Sequence, residues 1–420
     1  MKKCSGGLSS YNQSNHLLNY KSTIEKLITM TNYLNESLDL FEYTRSMRRD
    51  FHRNPELGFH EARTASIVAR ELNNFSLEVK TDVGKTGVVA LLKGTRPSPV
   101  ILARFDMDAL PVNEETGADY ASLTPGIMHA CGHDAHIAIG LTVARMLSSH
   151  RNEIAGTVKF VFQPAEEGLG GAEAMIADGV LLNPTPDLSL AMHVWNEKPL
   201  GWLGISAGPV MSASDAFQMR ITGKGGHGAA PHQTIDPVLA SAHVVTTLQS
   251  IVSRNLNPLQ SAVVSITMIH GGEANNVLPA SVELKGSLRS FEQEVRKQLI
   301  ERFREISTSV AEGLGCQVQL DFKRISPPVY NDPVITQRVQ KITANLLPES
   351  TIDSDARSMG SEDMAFMMDQ IPGCFIFLGS ANASRGLDAG HHHPRFDFDE
   401  EILPRGAALM ATTITEFLST

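Results

Sequence analysis

Along most of this chain, short apolar runs alternate with stretches of helical periodicity, but between about residues 214 and 324 that alternation breaks off. Before the break, the runs at 87–93, 100–105, 157–162 and 188–192 read as strands, and 37–54, 61–75, 136–149 and 172–178 read as helices. After it, the alternating pattern resumes through 334–347, 364–368, 375–379 and 402–417. Strands alternating with helices predict an α/β fold with a mostly parallel sheet covered by helices on both faces. The interrupting block reads strand 216–222, helix 237–254, strands 262–269 and 281–287, helix 292–312 and strand 317–323. That βαββαβ order is the split, ferredoxin-like unit. A unit that begins and ends on strands can bring its two ends together, as an insertion requires. The expected organisation is an N-terminal extension over 1–35, weakly helical from 21 to 34; a main body over 36–213 and 325–420; and an inserted unit over 214–324. A chain of 420 residues is too long for one simple core, which agrees with two units.

Charge and cysteine content narrow the partners. A net charge of −10 disfavours a nucleic-acid binder, which would be basic. The four cysteines, Cys4, Cys131, Cys316 and Cys374, form no paired spacing, so reduced thiols in a cytoplasmic protein are expected. Met-Lys-Lys-Cys opens the chain without a following apolar segment, so no secretory signal is expected. No uncharged apolar run of about 18 residues occurs, so no transmembrane helix or membrane partner is expected either.

The chemistry concentrates at Cys131-Gly132-His133, where a thiol and an imidazole stand two residues apart and can face one point. Imidazole and thiolate suit Zn²⁺ and its neighbours, and carboxylates widen the choice to Mn²⁺. Further donors follow apolar runs or sit in Gly/Pro loops: Glu166 and Glu167 after 157–162, His193 after 188–192, and His391 to His393 before Pro394. Each has an ordinary reading when taken alone. Paired glutamates usually mark a solvated loop, a lone histidine at a strand end is more often a hydrogen-bonded core residue, and a triple histidine can be an exposed cluster. Together they point to a dinuclear metal site. Adjacent carboxylates in a turn point in different directions, so one can bind metal while the other acts as a separate general base. Asp106 and Asp108 stand where ligands approach open α/β sheets.

These residues fall in motifs that together resemble the metal-dependent aminoacylase/carboxypeptidase family, in its branch of N-acyl-amino-acid amidohydrolases (hippurate hydrolase and indole-acetyl-amino-acid hydrolase-like). They include His52-Arg53-Asn54-Pro55-Glu56-Leu57, Asp106-Met107-Asp108-Ala109-Leu110-Pro111, Cys131-Gly132-His133-Asp134-Ala135-His136 and Pro164-Ala165-Glu166-Glu167. Gly225-Gly226-His227-Gly228, Asn276-Val277-Leu278-Pro279 and Gly360-Ser361-Glu362-Asp363 complete the set. The resemblance implies hydrolysis of N-acyl-amino acids to a carboxylic acid and a free amino acid. It implies two divalent ions per chain (Mn, Zn, Co or Ni) on Cys131, His133, Glu167, His193 and His392, with Cys131 as the bridge. His392 is chosen among the three histidines because the family ligand stands two residues before the proline. Glu166 matches the general base, and His227 the residue that stabilises the oxyanion. Asn276, Arg289 and Gly360 match substrate-binding positions. The family's inserted unit is a lid or dimerisation domain, so a homodimer through 214–324 is expected. His136, His129, His232 and Asp108 are expected only to support the ligands. Asp106 departs from the wider family, which places a ligand histidine there. A metallo-dipeptidase or carboxypeptidase, or a metal-dependent binding protein without activity, are the alternative readings of the same residues.

Overall fold

The computed structural model describes residues 33–419. Most of the weakly helical stretch expected at 21–34 lies outside them. One sheet of eight strands organises the body, in the order Glu78–Val83, Gly87–Lys93, Thr157–Gln163, Val100–Asp106, Leu188–Pro199, Gly373–Ala381, Trp202–Gly204 and Thr351–Asp353. The four central strands, Thr157–Gln163 to Gly373–Ala381, run parallel; Gly87–Lys93 and Trp202–Gly204 join them antiparallel on either side, and Thr351–Asp353 pairs parallel with Trp202–Gly204 at the edge. Every residue of Val100–Asp106 and Thr157–Gln163 is buried, which is why these segments read as continuous apolar runs and not as alternating ones. One face packs against the helices Phe41–Arg53, Ala62–Asn74, His133–Ser149 and Ile402–Leu418 through Phe51, Leu72, Ile139 and Leu409. The opposite face carries a smaller core built around Met175, Met364, Met367 and Phe375.

The interrupting block forms its own antiparallel sheet of four strands, in the order Ala262–His270, Ser281–Ser290, Ala213–Thr222 and Gln317–Ser326. Helices Pro237–Leu248 and Gln293–Gly313 cover one face through Val244, Leu248, Leu299 and Phe303. Asp236 starts the first helix by accepting from Val238 N and Leu239 N, with Pro237 in the first turn. This helix stops at Leu248, short of the expected 254, and a π turn over Ile251–Asn255 follows. No helix among the described residues is long and apolar enough to cross a membrane.

Two local readings are corrected. His193 does not end a strand; Leu188–Pro199 continues six residues beyond it, paired with Gly373–Ala381. The helix expected from residue 136 begins at His133, because Gly132 at φ +88° turns the chain directly into it. A Cβ on Gly132 would meet Val194 Cγ2 at 2.3 Å, so the chain also passes this point too closely for a side chain.

Candidate metal centre and cleft

The C-terminal ends of the central strands and the turns after them converge on one point. After Thr157–Gln163, the chain turns through Ala165, whose φ is +54°, and Glu61 holds the turn by accepting from Ala165 N at 2.9 Å. Glu166 and Glu167 follow. The ligand atoms of Cys131, His133 and His193 all lie within 4.8 Å of one another. So do those of Cys131, Glu167 and His392, which makes Cys131 the member common to both groups.

The hydrogen bonds behind these atoms fix which nitrogen faces inward. His133 Nδ1 lies 2.9 Å from the Asp108 carbonyl oxygen, and its buried Nε2 has no hydrogen-bond partner. His193 donates from Nδ1 to Val194 O at 2.6 Å and turns Nε2 to Cys131 Sγ, 3.5 Å away. His392 Nε2 meets Glu167 Oε1 at 3.2 Å. Of the neighbouring histidines, His391 donates from Nε2 to Val194 O at 2.9 Å, and exposed His393 accepts from Arg395 N. Only His392 of the three thus comes to a carboxylate. A buried bare imidazole nitrogen, a thiol and a carboxylate directed at a common space form a donor set that fits divalent cations.

Charge says the same. Burial, then Glu167 and Glu166, push the Cys131 thiol well above its ordinary pKa, so a thiolate there calls for a cation. Burial would lower His133, but Asp106 first, then Asp108 and Glu167, raise it to about 10. Burial also raises Glu166 well above the usual carboxylate range, reinforced by Glu362, Glu167 and Asp363. The Glu166, Glu362 and Asp363 carboxylates approach within 4.8 Å of one another. Fully buried Arg104 offsets part of this charge: it pairs with Glu362 at 2.7 Å and Asp106 at 2.6 Å, and donates to Gln163 at 2.9 Å. Asp106 in turn lies 2.5 Å from His136 Nδ1, and His136 Nε2 accepts from Val194 N at 2.9 Å. The Asp106 carboxylate is thus committed to Arg104 and His136.

The centre opens into a cleft of about 630 Å³ between the body and the second sheet. Arg289 and Gly360 line it, together with Glu166, Glu167 and Cys131. Arg289 donates to Met359 O at 2.9 Å and to Ser361 Oγ at 3.3 Å, and burial lowers its pKa. His227 and Asn276 come together elsewhere: the two-residue strands Gly226–His227 and Val277–Leu278 pair, and Gly228 N donates to Asn276 O at 2.8 Å. Neither residue lines the cleft. Asp108 contacts His133 and Glu167 N, whereas the two ring nitrogens of His136 go to Asp106 and Val194 N. His129 is buried with both ring nitrogens unpartnered, and His232 is exposed.

Sequence reading left Arg104, the Glu362–Asp363 pair and Asn196 without a role. For Arg104 a signal existed, since Ile101-Leu102-Ala103-Arg104-Phe105 puts a charge inside an apolar strand. A second buried network, behind the centre, was equally unread. In it Arg48 pairs with Asp134 and Asp397, both at 2.8 Å.

A sequence model of the peptidase family M20/M25/M40 matches residues 102–416. The chain is 40% identical over 384 residues to the Arabidopsis thaliana protein named IAA-amino acid hydrolase ILR1-like 4, covering 90% of this chain and 87% of the relative. It is 39% identical over 360 residues to a Bacillus subtilis N-acetylcysteine deacetylase, covering 85% of this chain and 92% of that one. A solved Bacillus subtilis structure described as a dinuclear metal binding peptidase from the M20 family superposes with a TM-score of 0.79 at 34% identity, over 91% of this chain and 99% of that one. The chain belongs to the peptidase family M20/M25/M40.

Proposed function

We propose that this protein is a metal-dependent amidohydrolase that cleaves N-acyl-amino acids to a carboxylic acid and a free amino acid. The observation that carries the reading is Cys131 shared between two donor groups, with Glu166 beside them and pressed against Glu362 and Asp363. Cys131, His133 and His193 would hold one divalent ion, and Cys131, Glu167 and His392 the other, drawn from Mn, Zn, Co and Ni. When bound, the ions supply Lewis-acid polarisation of the amide carbonyl and lower the pKa of water. Glu166 takes the proton of the attacking water, and its raised proton affinity suits a group that must hold that proton and then deliver it to the leaving amine. Arg289, beside Gly360 on the cleft wall, holds the substrate carboxylate. The relatives named for IAA-amino acid hydrolysis and N-acetylcysteine deacetylation support this substrate class.

The inserted unit over 214–324 acts as a lid and as the contact between two copies. His227 and Asn276 serve the reaction when that unit closes or when a second copy supplies them. Supporting the contact, Ala262–His270 is an edge strand with Met268 and Ile269 exposed. A reducing, cytoplasmic setting fits the free thiols of Cys131, Cys316 and Cys374. The test is release of free amino acid from N-acetyl and N-benzoyl amino acids, followed with ninhydrin, before and after chelation. Release that requires the metal is expected. No release across the panel, or release indifferent to the chelator, rejects the reading.

A further inference from the structure

His392 sits in a loop with no regular structure of its own, and its backbone takes φ +64°, in the left-handed region that few residues other than glycine adopt. What holds it is a short set of contacts. His392 N donates to Ala130 O at 2.7 Å, tying the loop to the turn that carries Cys131. His391 Nε2 donates to Val194 O. The two ends of the loop meet at one side chain. Asn196 Nδ2 donates to Ala389 O at 2.8 Å and to Asp397 O at 2.8 Å, and Asn196 Oδ1 accepts from Ser380 Oγ at 3.1 Å. Asn196 is only 1% exposed, and its amide is used in full: both hydrogens go to the loop ends and the oxygen goes to the neighbouring strand. It stands on Leu188–Pro199, the strand that also carries His193.

We propose that Asn196 is a positioning residue for the ion held by Glu167 and His392, acting by drawing the two ends of the 389–397 loop together. The inference rests on the ligand set given under the proposed function. The chemistry is specific to an amide. A carboxylate at this position would set its oxygens against two carbonyl oxygens, and an apolar side chain would take the donor from both, the buried Asp397 carbonyl and the partly buried Ala389 carbonyl. Either change slackens the loop that fixes His392, while Cys131, His133 and His193 keep the contacts that orient them. The effect therefore falls on one ion of the two.

Chelator-stripped full-length protein is titrated with Mn²⁺ by calorimetry, as wild type, Asn196→Asp, His392→Ala and the double variant. Wild type takes up two ions. In Asn196→Asp one ion keeps its affinity and the other binds about tenfold or more weakly, the scale on which partners behind a ligand act. In the double variant Asn196→Asp adds nothing to His392→Ala, since both act on the same ion. If Asn196→Asp does not fold, Asn196→Ser retains a donor for one carbonyl and shows the same selective loss at smaller size. Equal weakening of both ions, additive loss in the double variant, or unaltered uptake by the single variant each overturns the proposal. Wild-type protein that takes up no Mn²⁺ instead removes the ligand set itself, and this inference with it.

Discussion

Asp108 holds His133 at two points: the ring Nδ1 lies 2.9 Å from the Asp108 carbonyl oxygen and 3.2 Å from its carboxylate. The other carboxylate oxygen accepts from Glu167 N at 3.0 Å. One buried residue thus sets, through its carbonyl and its carboxylate, the tautomer of a residue in one donor group, and through its carboxylate the backbone of a residue in the other. Asp108→Ala is expected to weaken Mn²⁺ binding by roughly 10- to 100-fold, the usual cost of losing such a partner. Competition with a fluorescent chelator measures it. Wild-type affinity in the variant would show that His133 is oriented by something else.

Glu166→Gln keeps the shape of the side chain and removes its capacity to take a proton. Turnover should fall by at least about 100-fold, the low end for general acid–base catalysis, with both ions retained. Rates and elemental analysis on the same preparation decide it. A variant that loses metal in proportion to activity would make Glu166 a ligand and not a base.

Arg289 is half-buried, and burial disfavours its charge, so the guanidinium gains from an anionic partner. Arg289→Ala should raise KM for substrates with a free carboxylate by about tenfold or more, as loss of a charge-assisted hydrogen bond implies. An amidated substrate should respond far less. Equal loss on both substrates would reduce Arg289 to its contacts with Met359 and Ser361.

A pH dependence follows from His52. Its Nδ1 lies 2.8 Å from Asp134 and its Nε2 3.3 Å from Glu114, and only the imidazolium donates to both. Burial, the largest influence, opposes that charge, as does Arg48, but the attraction of Asp134 together with the hydrogen bonds to Asp134 and Glu114 raises the pKa above its ordinary value. A raised folded-state pKa gives stability that is complete below the unfolded value and is lost as pH rises through the folded one. His52→Gln should therefore destabilise by about 3 kcal/mol in mildly acidic buffer, the scale for breaking a buried pair. The gap to wild type should narrow toward alkaline pH. Thermal unfolding of both proteins across that range tests it; a gap that does not change with pH would assign the titration to another group.

The parts legible in the sequence were those encoded locally. Val100–Asp106 and Thr157–Gln163 announce themselves because burial on both faces demands unbroken apolar runs. Cys131 and His133 are readable because a single residue of turn, Gly132, separates them. His193 was misplaced at a strand end because the polar residues after it, Asn196 to Lys198, look like a loop, whereas Asn196 is buried with its amide fully bonded. Arg104 and Glu362 escaped notice because their pairing joins residues 258 positions apart, and no window of sequence contains both. The same holds for Arg48 and Asp397, 349 positions apart.

Gly373–Ala381 lies between Leu188–Pro199 and Trp202–Gly204, in register from Gly373 against Ser189. A ribosome therefore delivers an interior strand of the large sheet only after the whole interrupting unit. Until it emerges, Leu188–Pro199 presents an unpaired edge that begins Leu-Ser-Leu-Ala-Met-His-Val, apolar enough to recruit the same segment of a neighbouring nascent chain. A chain cut short before Gly373 would then carry an open apolar edge, an aggregation hazard on top of the lost strand.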